Sequence, residues 1–200
     1  MGYQTAIVDG NNIFFKSFVT QKLSVNLKGE EVQTGGTYGF IQSLITLKKN
    51  YLEDNAQIII AWDKGHKRRT KLYPEYKANR NKDEWDELEN FRTQKKMLQE
   101  VLSVMGVRQA SKEGEEADDI VGTLSRVRRD RGQKVIIMSA DKDFQQLIDH
   151  NIDLLAHKGK NNIKIWDEKA WEDENGFHPS KFSIVLGLMG DKGDNIPGVY

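Results

Sequence analysis

The sequence predicts an α/β fold with a mostly parallel central sheet and helices on both faces. Short apolar runs at 3–8, 57–62 and 134–139 alternate with longer segments of helical periodicity, the rhythm of βαβ units. Acidic residues stand where these runs stop: Asp9 after Ala6-Ile7-Val8, Asp63 after Ile58-Ile59-Ile60-Ala61-Trp62, and Asp141 and Asp143 after Val135-Ile136-Ile137-Met138. In a parallel sheet all strand C-terminal ends lie along one edge, where ligands bind. Right-handed crossovers then place helices on both faces.

The elements follow in order. Residues 3–8 read as a buried strand ended by Asp9-Gly10, and Asn11 to Val19 as a short helix. Residues 20–34 form a loop or hairpin around Lys28-Gly29. Gly35-Gly36-Thr37 opens a helix whose stripe is Tyr38, Ile41, Leu44, Ile45 and Tyr51, and 57–62 is the second strand. Lys64 to Lys82 has no apolar periodicity and carries Pro74, so it is expected as an exposed loop or arch. Glu84 to Met105 is a long helix with the stripe Leu88, Phe91, Leu98 and Leu102. Lys95 is the flaw in that stripe, and Gly106 is the terminating glycine. Val107 to Ala110 is a short strand. Glu115 to Arg131 is a helix turning Ile120, Val121, Leu124 and Val127 inward. Residues 134–139 are a strand, Asp141 to Ile148 a short helix, and 152–156 and 163–166 further strands. Pro179 to Met189 is a helix opened by proline, and Gly190 to Tyr200 a loop.

With 200 residues and 38% hydrophobic residues the chain can build one cored domain. Its 30 basic and 30 acidic side chains cancel, so net charge names no partner. Their distribution is more informative: from Lys64 to Lys82 a basic block meets only Glu75, a candidate phosphate-facing surface. Cysteine is absent, which excludes disulfides, thiolate metal sites and a cysteine nucleophile. Gln4 and Asp9 interrupt the N-terminal apolar stretch, unlike a secretory leader. No apolar run has the length of a membrane span, so no membrane partner is expected.

The carboxylates carry the chemistry. Glu116 and Asp119 share a helix face and Asp118 points about a third of a turn away. Acids favoured by the helix dipole would explain one or two of them, but not Glu113, Glu115, Glu116, Asp118 and Asp119 together. Asp141 and Asp143 taken alone read as a cap and a first-turn acid, and Asp9 and Asp63 as turn residues. Asp191 and Asp194 lie in a turn-rich loop that needs no function by itself. Jointly, however, several segments place acids at one sheet edge, where like charges repel unless cations sit between them. Hard divalent ions with oxygen ligands, Mg²⁺ or Mn²⁺, answer this. In the basic block Arg69, Tyr73, Tyr76, Lys77 and Arg80 mix cations for phosphates with rings that can stack on unpaired bases. The histidines have no partner at metal-ligand spacing.

The strings Val8-Asp-Gly-Asn11, Thr37-Tyr-Gly-Phe40, Trp62-Asp63, Tyr76-Lys-Ala-Asn-Arg80, Glu116-Ala-Asp-Asp-Ile120, Ser139-Ala-Asp-Lys-Asp-Phe144 and Gly190-Asp-Lys-Gly-Asp-Asn-Ile-Pro-Gly198 stand in this order. Together they resemble the 5′-nuclease family, meaning flap endonucleases and the 5′–3′ exonuclease domain of bacterial DNA polymerase I, in a phage or stand-alone bacterial form. The resemblance implies a PIN-like α/β catalytic domain over 1–200 with a helical arch at about 64–100. It implies a first metal site at Asp9, Asp63, Glu116 and Asp118, and a second at Asp141, Asp143, Asp191 and Asp194, with Asp118 able to serve both. Asp119 matches an extra acid of the bacterial and phage branch. Lys77 and Arg69 match basic residues at the arch base that contact the scissile phosphate. The implied activity is cleavage of DNA at 5′ ends or flaps with two Mg²⁺ or Mn²⁺ ions, in replication or repair, in the cytoplasm of a bacterial or phage-infected cell. RNA in RNA–DNA hybrids and a replication protein are the further partners it suggests. Family members continue past Asn-Ile-Pro-Gly into a helix-hairpin-helix-type duplex grip, and this sequence stops at Tyr200, so weak duplex binding is expected. The competing readings are a PIN-like ribonuclease and a non-catalytic nucleic-acid-binding form.

Overall fold

The computed structural model describes residues 2–79, 89–158 and 162–199. The chain runs β1 (Tyr3–Asp9), α1 (Gly10–Thr20), a hairpin of β2 (Ser24–Leu27) and β3 (Glu30–Gln33), α2 (Gly35–Tyr51) and β4 (Leu52–Ala61). It continues through α3 (Lys67–Leu72), α4 (Glu89–Val104), β5 (Arg108–Ala110), α5 (Ala117–Asp130) and β6 (Val135–Met138). A 3₁₀ segment (Lys142–Leu147), β7 (Ile152–Lys158), β8 (Asn162–Trp166), α6 (Glu168–Asn175), a 3₁₀ turn (Pro179–Lys181) and α7 (Phe182–Met189) follow. The main sheet has the order β5-β4-β1-β6-β7-β8. Every pairing in it is parallel except β7 with β8, which is antiparallel. β1 is central, and its C-terminal end is where the strand order reverses, the place a crevice opens in such sheets.

Strand alternation sends side chains to two cores. Ala6, Val8, Ile136 and Met138 face α1, α2 and α4, packing with Phe14, Phe40, Leu47, Phe91, Leu98 and Leu102. Ile7, Val135, Ile137 and Leu154 face α5 and α6, packing with Ala117, Val121 and Trp171. Helices therefore cover both faces. α2 and β4 abut without a loop, and β4 begins five residues earlier than the isoleucine run suggested.

Some inward assignments change. In α2, Leu44 is buried as expected, but Tyr38 and Ile45 are half exposed, and Phe40 and Leu47 are buried in their place. The reason is close packing on α1: a methyl group on Gly35 would stand 1.9 Å from the Gln21 carbonyl oxygen, and one on Gly39 2.8 Å from the Gln21 side chain. The glycine face of α2 is thus the inward one. In α5, Val127 is exposed, while Ala117, Val121 and Ser125 are buried. Lys95 keeps its ammonium in the apolar stripe by lying over the Trp62 ring, 5.6 Å from its centroid. Helix α6 arises in a stretch that drew no expectation. Asp167 caps it by accepting from the Ala170 amide, Gly176 ends it at φ 79°, and Trp171 anchors it fully buried.

The arch expected at 64–100 is described in part, as α3, the turns that follow it and α4. Arg80 and Leu88 lie outside the described residues. No described helix is long and apolar enough to cross a membrane.

Candidate active site

Asp9 ends β1 and caps α1. One carboxylate oxygen accepts from the Asn12 amide at 3.1 Å and the other from the Ser139 hydroxyl at 2.9 Å. Burial pushes its carboxyl up to about 6, against the lowering effect of those two hydrogen bonds. Asp63, just beyond β4, accepts from the Ala117 amide at 2.6 Å and from the Asn11 side chain. This ties the end of β4 to the start of α5. Asp141 caps the 3₁₀ segment by accepting from the Asp143 amide at 2.9 Å. Asp191 is held in its loop by the Gly193 amide at 2.8 Å and by the Lys142 ammonium at 3.0 Å.

These groups line one cleft of about 230 Å³ at the C-terminal edge of the sheet: Asp9, Asp63, Glu116, Asp118, Asp141, Asp143, Asp191 and Asp194, with Asn11, Asn12 and Lys77. Their mutual repulsion is visible in their acidities. Burial, then the nearby charges of Asp9 and Asp141, push Asp118 up to about 7. Burial and Asp141 push Asp143 up to about 6. Asp191 goes the other way, because the Lys142 ammonium and two backbone amides outweigh its desolvation and hold it below the usual range.

Cations reach into this rim from the basic block. Lys77 adopts φ 56° and its amide donates to the Asp194 carbonyl at 3.0 Å. Its ammonium contacts the Glu116 carboxylate and lies 3.9 Å from that of Asp194. Arg69 pairs with Glu116 at 2.9 Å and also with Asp119. The side-chain amides of Asn79 and Asn195 bond to the carbonyls of Lys192 and Glu75, at 2.8 and 2.9 Å, closing the basic turn onto the 190–198 loop.

Among the described residues, no three acidic or imidazole groups stand in an arrangement that by itself holds a metal ion. Glu116 and Asp63 are turned toward protein donors. The fit to a hard cation rests on the donor set. The cleft is lined by carboxylates with no sulfur or imidazole ligand, Asp118 and Asp143 are driven toward protonation by burial and then by neighbouring charge, and a buried oxygen of Asp143 has no hydrogen-bond partner. Oxygen-rich sites of this kind suit Mg²⁺ and Mn²⁺.

Residues 4–176 match the family described as 5′–3′ exonuclease, N-terminal resolvase-like domain. The chain belongs to this family. The 5′–3′ exonuclease of Buchnera aphidicola subsp. Schizaphis graminum is 37% identical over 196 residues, 96% of this chain and 64% of that protein. DNA polymerase I of Streptococcus pneumoniae strain R6 is 34% identical over 197 residues, 96% of this chain and 22% of the polymerase. The chain thus spans under two thirds of the length of these relatives. Among solved structures, the bacteriophage T5 D15 protein crystallised with metal ions superposes with a TM-score of 0.74 at 23% identity, over 98% of this chain and 69% of that one. The T5 D15 flap endonuclease in complex with DNA and metal ions gives 0.75 at 22%, with the same coverage. At this identity the structural likeness establishes the shared fold.

Within this 5′–3′ exonuclease-type domain two expectations change. Tyr76 is only 6% exposed. Its hydroxyl lies 2.9 Å from Glu116 and 2.8 Å from Asp194, so its ring is not presented for stacking on a base. Tyr73 is the less buried of the two tyrosines, its hydroxyl resting on Glu75 at 3.1 Å. Asp119 lies outside the carboxylate cleft and lines a neighbouring one instead. It pairs with Arg68 at 2.7 Å and with Arg69, and accepts from the Glu116 amide at 3.3 Å. Arg69 and its neighbour Arg68 more than offset its burial and hold its carboxyl below the usual range. Its place is to position Arg69 and the start of α5. Sequence reasoning also passed over Asn11, Asn12 and Ser139. The polar run Gly10-Asn11-Asn12 directly after a strand-end aspartate was the available signal.

Proposed function

We propose that this chain is a divalent-metal-dependent phosphodiesterase that cuts DNA at or near 5′ ends, as exonuclease, flap endonuclease or both. The observation that carries the reading is the convergence of eight carboxylates with Lys77 in one cleft of a 5′–3′ exonuclease-type domain. The exonuclease activity and the metal ions belong to those relatives, and here they support the reading. Asp9, Asp63, Glu116 and Asp118 would hold one Mg²⁺ or Mn²⁺, and Asp141, Asp143, Asp191 and Asp194 a second. Such ions supply Lewis acidity toward the phosphate and a more acidic water.

The chain's own residues do the rest. Lys77 places a cation beside Glu116, where it can serve a phosphate oxygen as charge grows there. Glu116 would hold either that ammonium or a cation, and with a cation there Lys77 would be left to the substrate. Arg69, held by Asp119, offers guanidinium donors suited to a phosphate. Tyr76 fixes Glu116 and Asp194 from below. A strand reaching the cleft would pass the basic turn, where Tyr73 is the ring available for stacking.

The test is Mg²⁺-dependent cleavage of a 5′-flap duplex beside plain single and double strands, with matched RNA flaps. Release of 5′ products from DNA, lost with EDTA, is expected. Cleavage of RNA alone would move the reading to a PIN-like ribonuclease, and no cleavage with retained binding to a non-catalytic form.

A further inference from the structure

A second cleft of about 360 Å³ adjoins the carboxylate cleft, between α3, α5 and the 3₁₀ segment. The two share Asp118 and Asp143 as a common wall. The rest of its lining includes Arg68, Arg69, Arg126, Thr123 and Gln146. Its one further acid, Asp119, is already paired with Arg68 and Arg69. Arg126 projects from α5 with no hydrogen bond or ion pair among the described residues, and the Arg68 side chain is 62% exposed. Thr123 and Gln146 are pinned by bonds to the carbonyls of Asp119 and Asp143, at 2.7 and 2.8 Å, so the walls are set while the guanidinium donors of Arg126 stay available. Planar guanidinium groups favour phosphate oxygens.

We infer that this cleft binds a second phosphodiester of the substrate strand, one or two linkages from the one that is cut, with Arg126 as its principal contact. The inference rests on the nuclease reading above for the path of the strand. A chain crossing the shared wall brings its next backbone units over Arg126, and the arginines there offset the repulsion of the carboxylates beside it. A solvated helix face would explain Arg126 alone. It does not explain an arginine-rich cleft opening directly onto the carboxylates.

The test uses the whole chain, a fluorescein-labelled 5′-phosphorylated single-stranded oligonucleotide, and Ca²⁺ in the buffer, with binding measured against salt. Arg126→Ala should lower the slope of log affinity against log salt by about 0.7, one single-strand phosphate contact, with an unchanged thermal midpoint. A series of oligonucleotides, each with one uncharged methylphosphonate linkage, supplies the position. One linkage within two of the scissile position should weaken wild-type binding and have no further effect on Arg126→Ala. Equal slopes, or a methylphosphonate profile identical in wild type and variant, would overturn the inference. Normal Mg²⁺ cleavage by wild type with no Arg126 effect on binding would remove the cleft alone. Arg126-dependent binding without cleavage would remove the nuclease reading and leave the cleft standing. Absence of any single-strand binding by the wild-type chain would remove both.

Discussion

Asp118 carries the strongest charge conflict in the cleft, since it faces Asp9, Asp141, Glu116 and Asp63 from a half-buried position. Replacing it with asparagine should end cleavage and stabilise the metal-free protein above pH 7. The expected gain is on the order of 1–2 kcal/mol, or about 2–8 °C in thermal midpoint for a chain of this size. Retention of more than a few per cent of wild-type turnover would contradict its role. Tyr76 makes the opposite contribution. A hydroxyl has one proton, so it donates to Glu116 or Asp194 at any moment and holds both near it. Tyr76→Phe should cost about 1–2 kcal/mol by denaturant titration, because buried carboxylates lose their donor. Single-turnover rates should fall more than DNA affinity, because what is lost is the placing of ligands. An unchanged rate would make Tyr76 a packing residue only.

The 190–198 loop is the element that brings the last two carboxylates in and holds Lys77. It closes through the Asp191–Ile196 bridge and on Gly190, whose φ is 70°. A methyl group on Gly190 would stand 2.4 Å from the Gly198 amide nitrogen and 2.6 Å from the Ile196 carbonyl oxygen. Gly190→Ala should therefore displace Asp191, Asp194 and Lys77 together. Turnover is expected to drop at least about tenfold, the order of effect of misplaced catalytic groups, while far-UV circular dichroism stays that of the folded protein. Wild-type turnover would show that the loop tolerates another closure. At this scale the alternation of strands and helices was readable from periodicity, and the order of strand-end acids with it. α6 was equally readable from Asp167 and Gly176 as caps, but its one buried aromatic, Trp171, produced no stripe. The stripe of α2 was misread because its inward face is made of glycine and threonine as much as of leucine.

For the whole molecule the carboxylate edge couples stability to pH and to cations. Asp9 at about 6, Asp118 at about 7 and Asp143 at about 6 all sit above the ordinary carboxylate value. Between about pH 4 and pH 7 the folded chain then holds more protons than the unfolded one, so these groups make stability fall as pH rises through that window and level off above it. Asp119 and Asp191, held low, contribute with the opposite sign, and their contribution is lost as pH falls below the ordinary range. The thermal midpoint in EDTA should decline from pH 5 to pH 8, and Mg²⁺ at pH 8 should restore it by binding the folded state. The restoration should shrink in Asp118→Asn. A flat pH profile with no response to Mg²⁺ would remove the metal assignment.

What the sequence by itself determined is local: buried strands as apolar runs, acids at their ends, glycine and proline at boundaries, and the ordered motifs that mark the family. Parallel strands convert such local order into a shared edge without further information, which is why Asp9, Asp63, Asp141 and Asp143 could be placed there in advance, while Asp191 and Asp194 were assigned to a metal site only through the resemblance to the family. Only the tertiary structure decided which side chains of the basic block turn inward. Tyr76 is buried and Lys77 drawn to Glu116 because the turn after α3 docks on a loop more than a hundred residues away in sequence. The separation of Asp119 from its neighbours has the same origin. Arg68 and Arg69 approach α5 from another element and take up that carboxylate, a contact that no spacing along one helix encodes.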